Sequence, residues 1–443
     1  MTRLLSLIIT ALMLTFYSQA QVVSMSLKEA QDYAVKNAYA SKSASYDVDV
    51  AALQTEELIG IGLPQINGSV QYQNYLNLPT QLVPAEFFGG QAGEFAKLQF
   101  GTSNNVTVGL SATQLLFNGS WLVGLEASRS YASLKQKQKT QTEKQVREDV
   151  ANSYHLAVIA QDNLTLISGS REVLNKTFTD TKALYDVGFV EEQDVQQLQL
   201  SLNDLDNRIA SAEQQVKLTL DLLKFQIGMP LATELQLTEN SETLLNSATA
   251  EVLTAPFSAD MHIDYQVTLG ALGMQQLDLK NQRSKRLPTL GAFYNLQTNA
   301  QRNEFSFFDT SEPWFPIQLW GIQLNIPIFA GLSTNKVIGK ARVEVQRMTD
   351  LTAMTKEAIQ LQYNSARTEY TYALQNYNAT KDNLALAEKI LEKTRIKYTE
   401  GLASSFEVSQ SQAQVIQAQG SYIGAMLGLM NAKVKMSNAL SQL

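Results

Sequence analysis

Two stretches of this chain, YDVGFVEEQDV at 185–195 and YTEGLASSFEV at 398–408, share a Tyr-x-x-Gly followed, six residues after the Gly, by a carboxylate and then Val. Their turn glycines, Gly188 and Gly401, stand 213 residues apart. No simple catalytic motif uses that spacing, so the explanation has to be architectural.

Working outward, the pair belongs to a larger self-similarity. LPQINGSVQYQ at 63–73 answers LPTLGAFYNLQ at 287–297, and QLLFNGSWLVGLEAS at 114–128 answers IPIFAGLSTNKVIGKA at 326–341. The offset falls from 224 at the prolines (Pro64, Pro288) to 212 at Gly119 and Gly331, which places a 12-residue length difference between the two paired segments. Surface loops absorb such insertions. The expectation is a signal peptide at 1–20, a first repeat at 21–227, a linker with a small packed element at 228–259, and a second repeat at 260–443.

Each repeat reads as helix, strand, loop, strand, very long helix, turn, helix. The strands, expected at about 64–76, 105–116, 288–299 and 318–328, rest on period-two alternation. Val106, Val108, Leu110 and Ala112 share one face against Thr107, Gly109, Ser111 and Thr113, and Trp320, Ile322 and Leu324 oppose Gly321, Gln323 and Asn325. A half-buried strand of a soluble sandwich also alternates. Length and an uncharged polar face favour a lipid-facing barrel strand with a wet lumen, since about 9 to 11 residues cross a bilayer when tilted. Four strands are too few to close a barrel, for which about eight is the practical minimum, so membrane-spanning strands demand an oligomer.

Long helices are expected at about 118–185 and 331–398, where Pro is absent and apolar residues keep three- and four-residue steps. At about 1.5 Å per residue each would reach roughly 100 Å. Return helices at about 191–227 and 404–440 are heptad-like, with Leu198, Leu202 and Leu205 in the first and Val434 in the second. An antiparallel coiled-coil rod is the alternative for these helices alone.

Composition narrows the function. The chain has no cysteine, which excludes disulfides, thiolate metal sites and a lipidated N-terminal Cys. Its net charge of −7 comes with no basic stripe, so nucleic acid is not an expected partner. His155 and His262 lie in no metal-binding spacing and read as structural, and no nucleophile–base pair or phosphate loop stands out, so neither a metal, a cofactor nor an enzyme is expected. MTRLLSLIITALMLTFYSQA carries Arg3, an apolar core and Ser18-Gln19-Ala20, the pattern of a cleaved signal peptide.

With SLKEAQDYAVKNAYA, the LPQI and LPTL strand starts, LLFNGS and IPIFAG, and both glycine turns in duplicate order, the chain resembles the TolC-like outer membrane efflux proteins. The resemblance implies a mainly α homotrimer in the outer membrane of a Gram-negative bacterium. Its twelve-stranded transmembrane β-barrel, four strands per chain, would be embedded in outer membrane lipid and continuous with a long periplasmic α-helical barrel. It implies a passive exit duct of a tripartite efflux or type I secretion system, docked to a periplasmic adaptor (membrane fusion protein) and an inner-membrane exporter of the RND or ABC type. By position, Asp194 and Glu407, with Tyr185 and Tyr398, would form the periplasmic aperture, and Gly188, Phe189, Gly401 and Leu402 the adaptor-docking turns. A basic residue of some relatives is Ala403 here, which leaves a specific interchain ionic lock without its cation. An exported coiled-coil structural protein or adhesin without channel activity is the competing reading.

Overall fold

The computed structural model describes residues 22–246 and 256–441, so the signal-peptide reading of 1–20 lies outside the described residues, as does part of the linker. In chain order the elements are β1 (Val23–Met25), α1 (Leu27–Asn37), α2 (Tyr39–Ile61), β2 (Gln65–Asn74), β3 (Thr80–Pro84), β4 (Phe95–Gln99), β5 (Asn104–Asn118), α3 (Gly119–Asp186) and α4 (Glu192–Ile227). They continue with β6 (Leu235–Leu237), α5 (Ser241–Asn246), α6 (Ile263–Ser284), β7 (Thr289–Arg302), β8 (Phe315–Asn325), α7 (Ser333–Thr399) and α8 (Ser405–Ala439). Helix dominates. Among the described residues no helix is long and apolar enough to cross a membrane.

The chain divides into two compact units, one of residues up to 49, 134–269 and 350 onward, the other of 50–133 and 270–349. The second unit holds a four-stranded antiparallel sheet in the order β2-β5-β7-β8. Its register aligns the alternating faces across all four strands. Ile66, Ala112, Tyr294 and Trp320 form one cross-strand row, and Val70, Val108 and Thr298 another, on the same face. That face is apolar yet open: Trp320 and Val70 are each 76% exposed. On the opposite face Asn67 meets Ser111 and Asn295, and Gly321 meets Phe293. The Phe293 ring lies on Gly321 so closely that a Cβ there would sit 2.7 Å from its Cζ.

Strand β8 begins and ends earlier than its expected 318–328, at Phe315 and Asn325. Pro327 cannot donate a ladder hydrogen bond, and Pro316 is tolerated because β8 is an edge strand. The loop carrying the 12-residue excess contains a hairpin, β3 paired with β4, which the sequence reading did not separate. At the end of the same sheet Asn104 accepts from the Tyr72 hydroxyl at 2.7 Å and donates to the Asn303 carbonyl at 3.1 Å. Phe305 and Phe307 pack edge-on against Tyr72, and the buried Arg302 is ion-paired with Glu312.

In the first unit the core gathers small residues of α1 (Ala30, Ala34) with Val150, Tyr154 and Val158 of α3, Leu223 and Ile227 of α4, Tyr370 of α7, and Met430 and Met436 of α8. Alanines let helices approach closely, and the large side chains fill what remains. Ser26 and Glu29 form a capping box at the start of α1, and the Leu27 N–H donates to Glu239 at 2.6 Å. The linker thereby folds back: β6 pairs in parallel with β1, and the Tyr154 hydroxyl donates to the Met25 carbonyl at 3.0 Å.

The opening helix of the first repeat, expected as a single element, is two. Ala38 has ψ 141°, and α2 starts afresh at Tyr39. Gly228, at φ +75°, is pressed against the Asn37–Ala38 backbone at this break.

His155 is 4% exposed, and burial pushes its imidazole down from the ordinary 6.5 to about 4. The unfolded chain takes up this proton near pH 6.5 and the folded chain only near 4, so this contribution is whole above 6.5 and is lost as pH falls through that window. The loss is about 3 kcal/mol in all, by about 1.4 kcal/mol per unit. Thermal melts at pH 7 and pH 4.5 should show His155→Leu losing less stability on acidification than the parent; equal losses would contradict the assignment.

Candidate functional site

The two long helices end in the same way. At the first turn the Gly188 N–H donates to the Tyr185 carbonyl at 2.8 Å and the Phe189 N–H to the Leu184 carbonyl at 2.9 Å. At the second, the Gly401 N–H donates to Tyr398 at 3.0 Å and the Leu402 N–H to Lys397 at 2.8 Å. Both are Schellman reversals, which need a residue at positive φ, and the glycines stand at +84° and +72°. Nothing lies within 4 Å of a Cβ built on either, so only backbone strain opposes a side chain there.

The carboxylates expected to line an aperture have first a local task. The Glu407 N–H donates to Ser404 Oγ and the Ser404 N–H to Glu407 Oε2, each at 3.3 Å, closing a capping box at the start of α8. Asp194 holds the same position in α4, accepting from the Glu191 N–H at 3.3 Å. It also accepts from the Ser405 hydroxyl, which joins one turn to the other. Ser405 is buried at this junction, and beyond it Val408 packs with Leu174, Leu198, Leu202 and Leu205.

Behind the turns the two long helices are stitched by polar contacts. The Tyr398 hydroxyl meets Thr181 Oγ1 at 3.0 Å, and Arg395 Nε donates to Thr177 Oγ1 at 3.1 Å. Burial pushes the Tyr398 phenol up, helped by the Asp194 charge. Of the residues singled out by sequence, Asp194 and Tyr398 are thus half-buried and engaged, while Glu407 and Tyr185 are exposed. Phe189 and Leu402 project fully, at 80% and 77% exposure. Ser405, Thr177, Thr181 and Arg395 were missed. The spacing Ser404-x-x-Glu407 is a capping signature visible in the sequence; the others carry no local signal.

Two modest effects follow at the turns. Gly188→Ala should cost about 1 kcal/mol through the left-handed backbone alone. Ser404→Ala should cost about 1 kcal/mol and fray the first turn of α8, seen as faster amide exchange at 405–408. Unchanged exchange there would contradict the capping role.

Residues 275–442 match the family model for outer membrane efflux proteins. The fold of the chain is that of solved outer membrane channels. CusC matches with a TM-score of 0.73 at 17% identity, covering 94% of this chain and 91% of that one. The open-state MtrE outer membrane channel of Neisseria gonorrhoeae matches at 0.72 and 15% identity, covering 94% and 88%. The CmeC outer membrane channel of Campylobacter jejuni matches at 0.70 and 17%, covering 94% and 85%. In fold the chain is TolC-like.

No curated protein matches it in sequence. The solved neighbours are described as outer membrane channels.

Proposed function

We propose that this TolC-like chain forms, as a homotrimer in the outer membrane, the exit duct through which an inner-membrane exporter expels small molecules by way of a periplasmic adaptor. The observation that carries this reading is the sheet. It has one exposed apolar face, one uncharged polar face, and edge strands β2 and β8 without a second strand partner among the described residues. Open edges are not tolerated in lipid, and three copies joined edge to edge would make twelve strands. On β7 the apolar face runs from Leu290 to Ala300. That is about 34 Å of strand, or about 26 Å of height at a tilt of about 40°, the thickness of an outer-membrane apolar band.

In this reading the turns form the periplasmic end. Asp194, Glu407, Tyr185 and Tyr398 constrict the aperture, and Gly188, Phe189, Gly401 and Leu402 meet the adaptor. Exposure of Phe189 and Leu402 supports the docking role, and the Ser405–Asp194 bond supports a restraint between the two turns. The purified protein should form channels in planar bilayers. Asp194→Ala with Glu407→Ala should raise conductance or lower cation preference; no change in either would remove these two from the gate, and no channel activity at all would remove the duct. Drug hypersensitivity of a deletion strain with an unaltered secretome distinguishes efflux from polypeptide secretion.

A further inference from the structure

We infer that the strand-walled section of the duct does not discriminate by the sign of charge, and admits anionic, cationic and zwitterionic polar solutes alike. The inference rests on the duct reading. Its basis is the polar face defined by the sheet register. That face presents Gln65, Asn67, Gln71 and Gln73 from β2, Asn105 from β5, Asn295, Gln297 and Asn299 from β7, and Gln323 and Asn325 from β8, spaced among Ser, Thr and Gly. Apolar interruptions are Leu115 near the end of β5, Phe293 of β7, whose ring covers Gly321, and Phe315, Ile317 and Leu319 of β8. The four strands, all of them described, contain one charged side chain, Arg302. It lies on the apolar face, in the row of Asn104, and its charge is cancelled by Glu312.

A carboxamide offers both an acceptor oxygen and two donor hydrogens, so a wall of amides turns whichever end a solute requires. It hydrates either sign and repels neither. Fixed charges of one sign in a low-dielectric cleft behave differently, raising the local concentration of the opposite ion by about tenfold or more. Asparagine and glutamine at these positions keep the wall wet without that field. Any charge preference of the assembled protein therefore arises outside the strands.

The absence of cysteine makes a direct test possible, because one introduced thiol is the sole reporter in this chain. Asn67→Cys and Gln297→Cys report the polar face, Ile322→Cys the apolar face, and Phe308→Cys an exposed loop reference. Intact cells are treated from outside with anionic and cationic methanethiosulfonates of similar size; the thiolate takes the sulfenyl sulfur and methanesulfinate leaves. At Asn67→Cys and Gln297→Cys the anionic-to-cationic rate ratio should equal that at Phe308→Cys within about twofold, as expected where no fixed charge focuses the field. A bias of about tenfold overturns the inference while leaving the duct intact. Labelling of Ile322→Cys as fast as Gln297→Cys, or no labelling of either polar-face thiol, overturns the duct reading and this inference with it.

Discussion

Gly228→Ala is expected to destabilise the helical unit by about 4 kcal/mol, the sum of a left-handed strain of about 1 to 3 and an overlap of about 1 to 3 kcal/mol. Gly228 caps α4 at φ +75°, with its N–H donating to the Phe225 carbonyl at 3.1 Å. A Cβ here would lie 2.8 Å from the Asn37 carbonyl carbon and 3.0 Å from Ala38 Cα, and closer still to the Asn37 oxygen. These are backbone atoms, which cannot swing aside as a side-chain end does. They also form the break between α1 and α2, so the displacement would pass into the core at Ala34, Ala38 and Ile227. Gly188→Ala is the control: its φ is similar and its surroundings are empty. Thermal unfolding followed by circular dichroism should give Gly228→Ala a loss several-fold larger than Gly188→Ala. Equal losses would mean that the close approach contributes nothing.

That same glycine shows where sequence reading stops. The break at Ala38 has no local cause in SLKEAQDYAVKNAYA: no Pro or Gly interrupts the helical spacing, and the partner that sets the geometry is Gly228, remote in the chain. The parallel pair β1–β6 is equally silent, because three residues per strand are too few to show a period. The long strands were legible for the opposite reason. Ten or more residues alternate with an uncharged partner face, and the register keeps every apolar residue of Val106, Val108 and Leu110 on one side. Both turns were legible from Tyr-x-x-Gly, since a left-handed helix end strongly favours glycine.

Of the residues proposed for the aperture, the sequence made legible only the pairing. Asp194 and Glu407 stand at equivalent positions, and the repeated spacing identified them as a pair. Spacing could not distinguish a carboxylate held by its own helix from one free to face a pore. Both are third residues of a capping box, which ties each to the first turn of its helix whatever else it faces. Their difference is tertiary: Asp194 reaches Ser405 of the other turn, while Glu407 stays exposed. Neutralising Asp194 would therefore remove a bond between turns as well as a charge. Glu407→Gln removes charge while keeping an acceptor for the cap.

Leu110→Arg is expected to abolish outer-membrane assembly, whereas Ser111→Arg, one residue along, should leave assembled protein near the parental level. Leu110 is in the cross-strand row with Gly68 and Leu296, midway along the apolar face, and is 54% exposed within the single chain. An arginine near the bilayer midplane costs about 2 to 4 kcal/mol, and a homotrimer would carry three of them. Ser111 pairs with Asn67 and Asn295 on the face whose neighbours are amides, where a guanidinium stays hydrated. Both substitutions put the same arginine on one strand, and Ser111→Arg adds the more bulk, so general misfolding would affect it at least as much as Leu110→Arg. Heat-modifiable oligomer in outer-membrane fractions measures the outcome. Loss for Leu110→Arg with retention for Ser111→Arg assigns lipid to the first face and water to the second; the reverse result, or equal levels for both, would mean that the sheet does not sit in a bilayer in this sense.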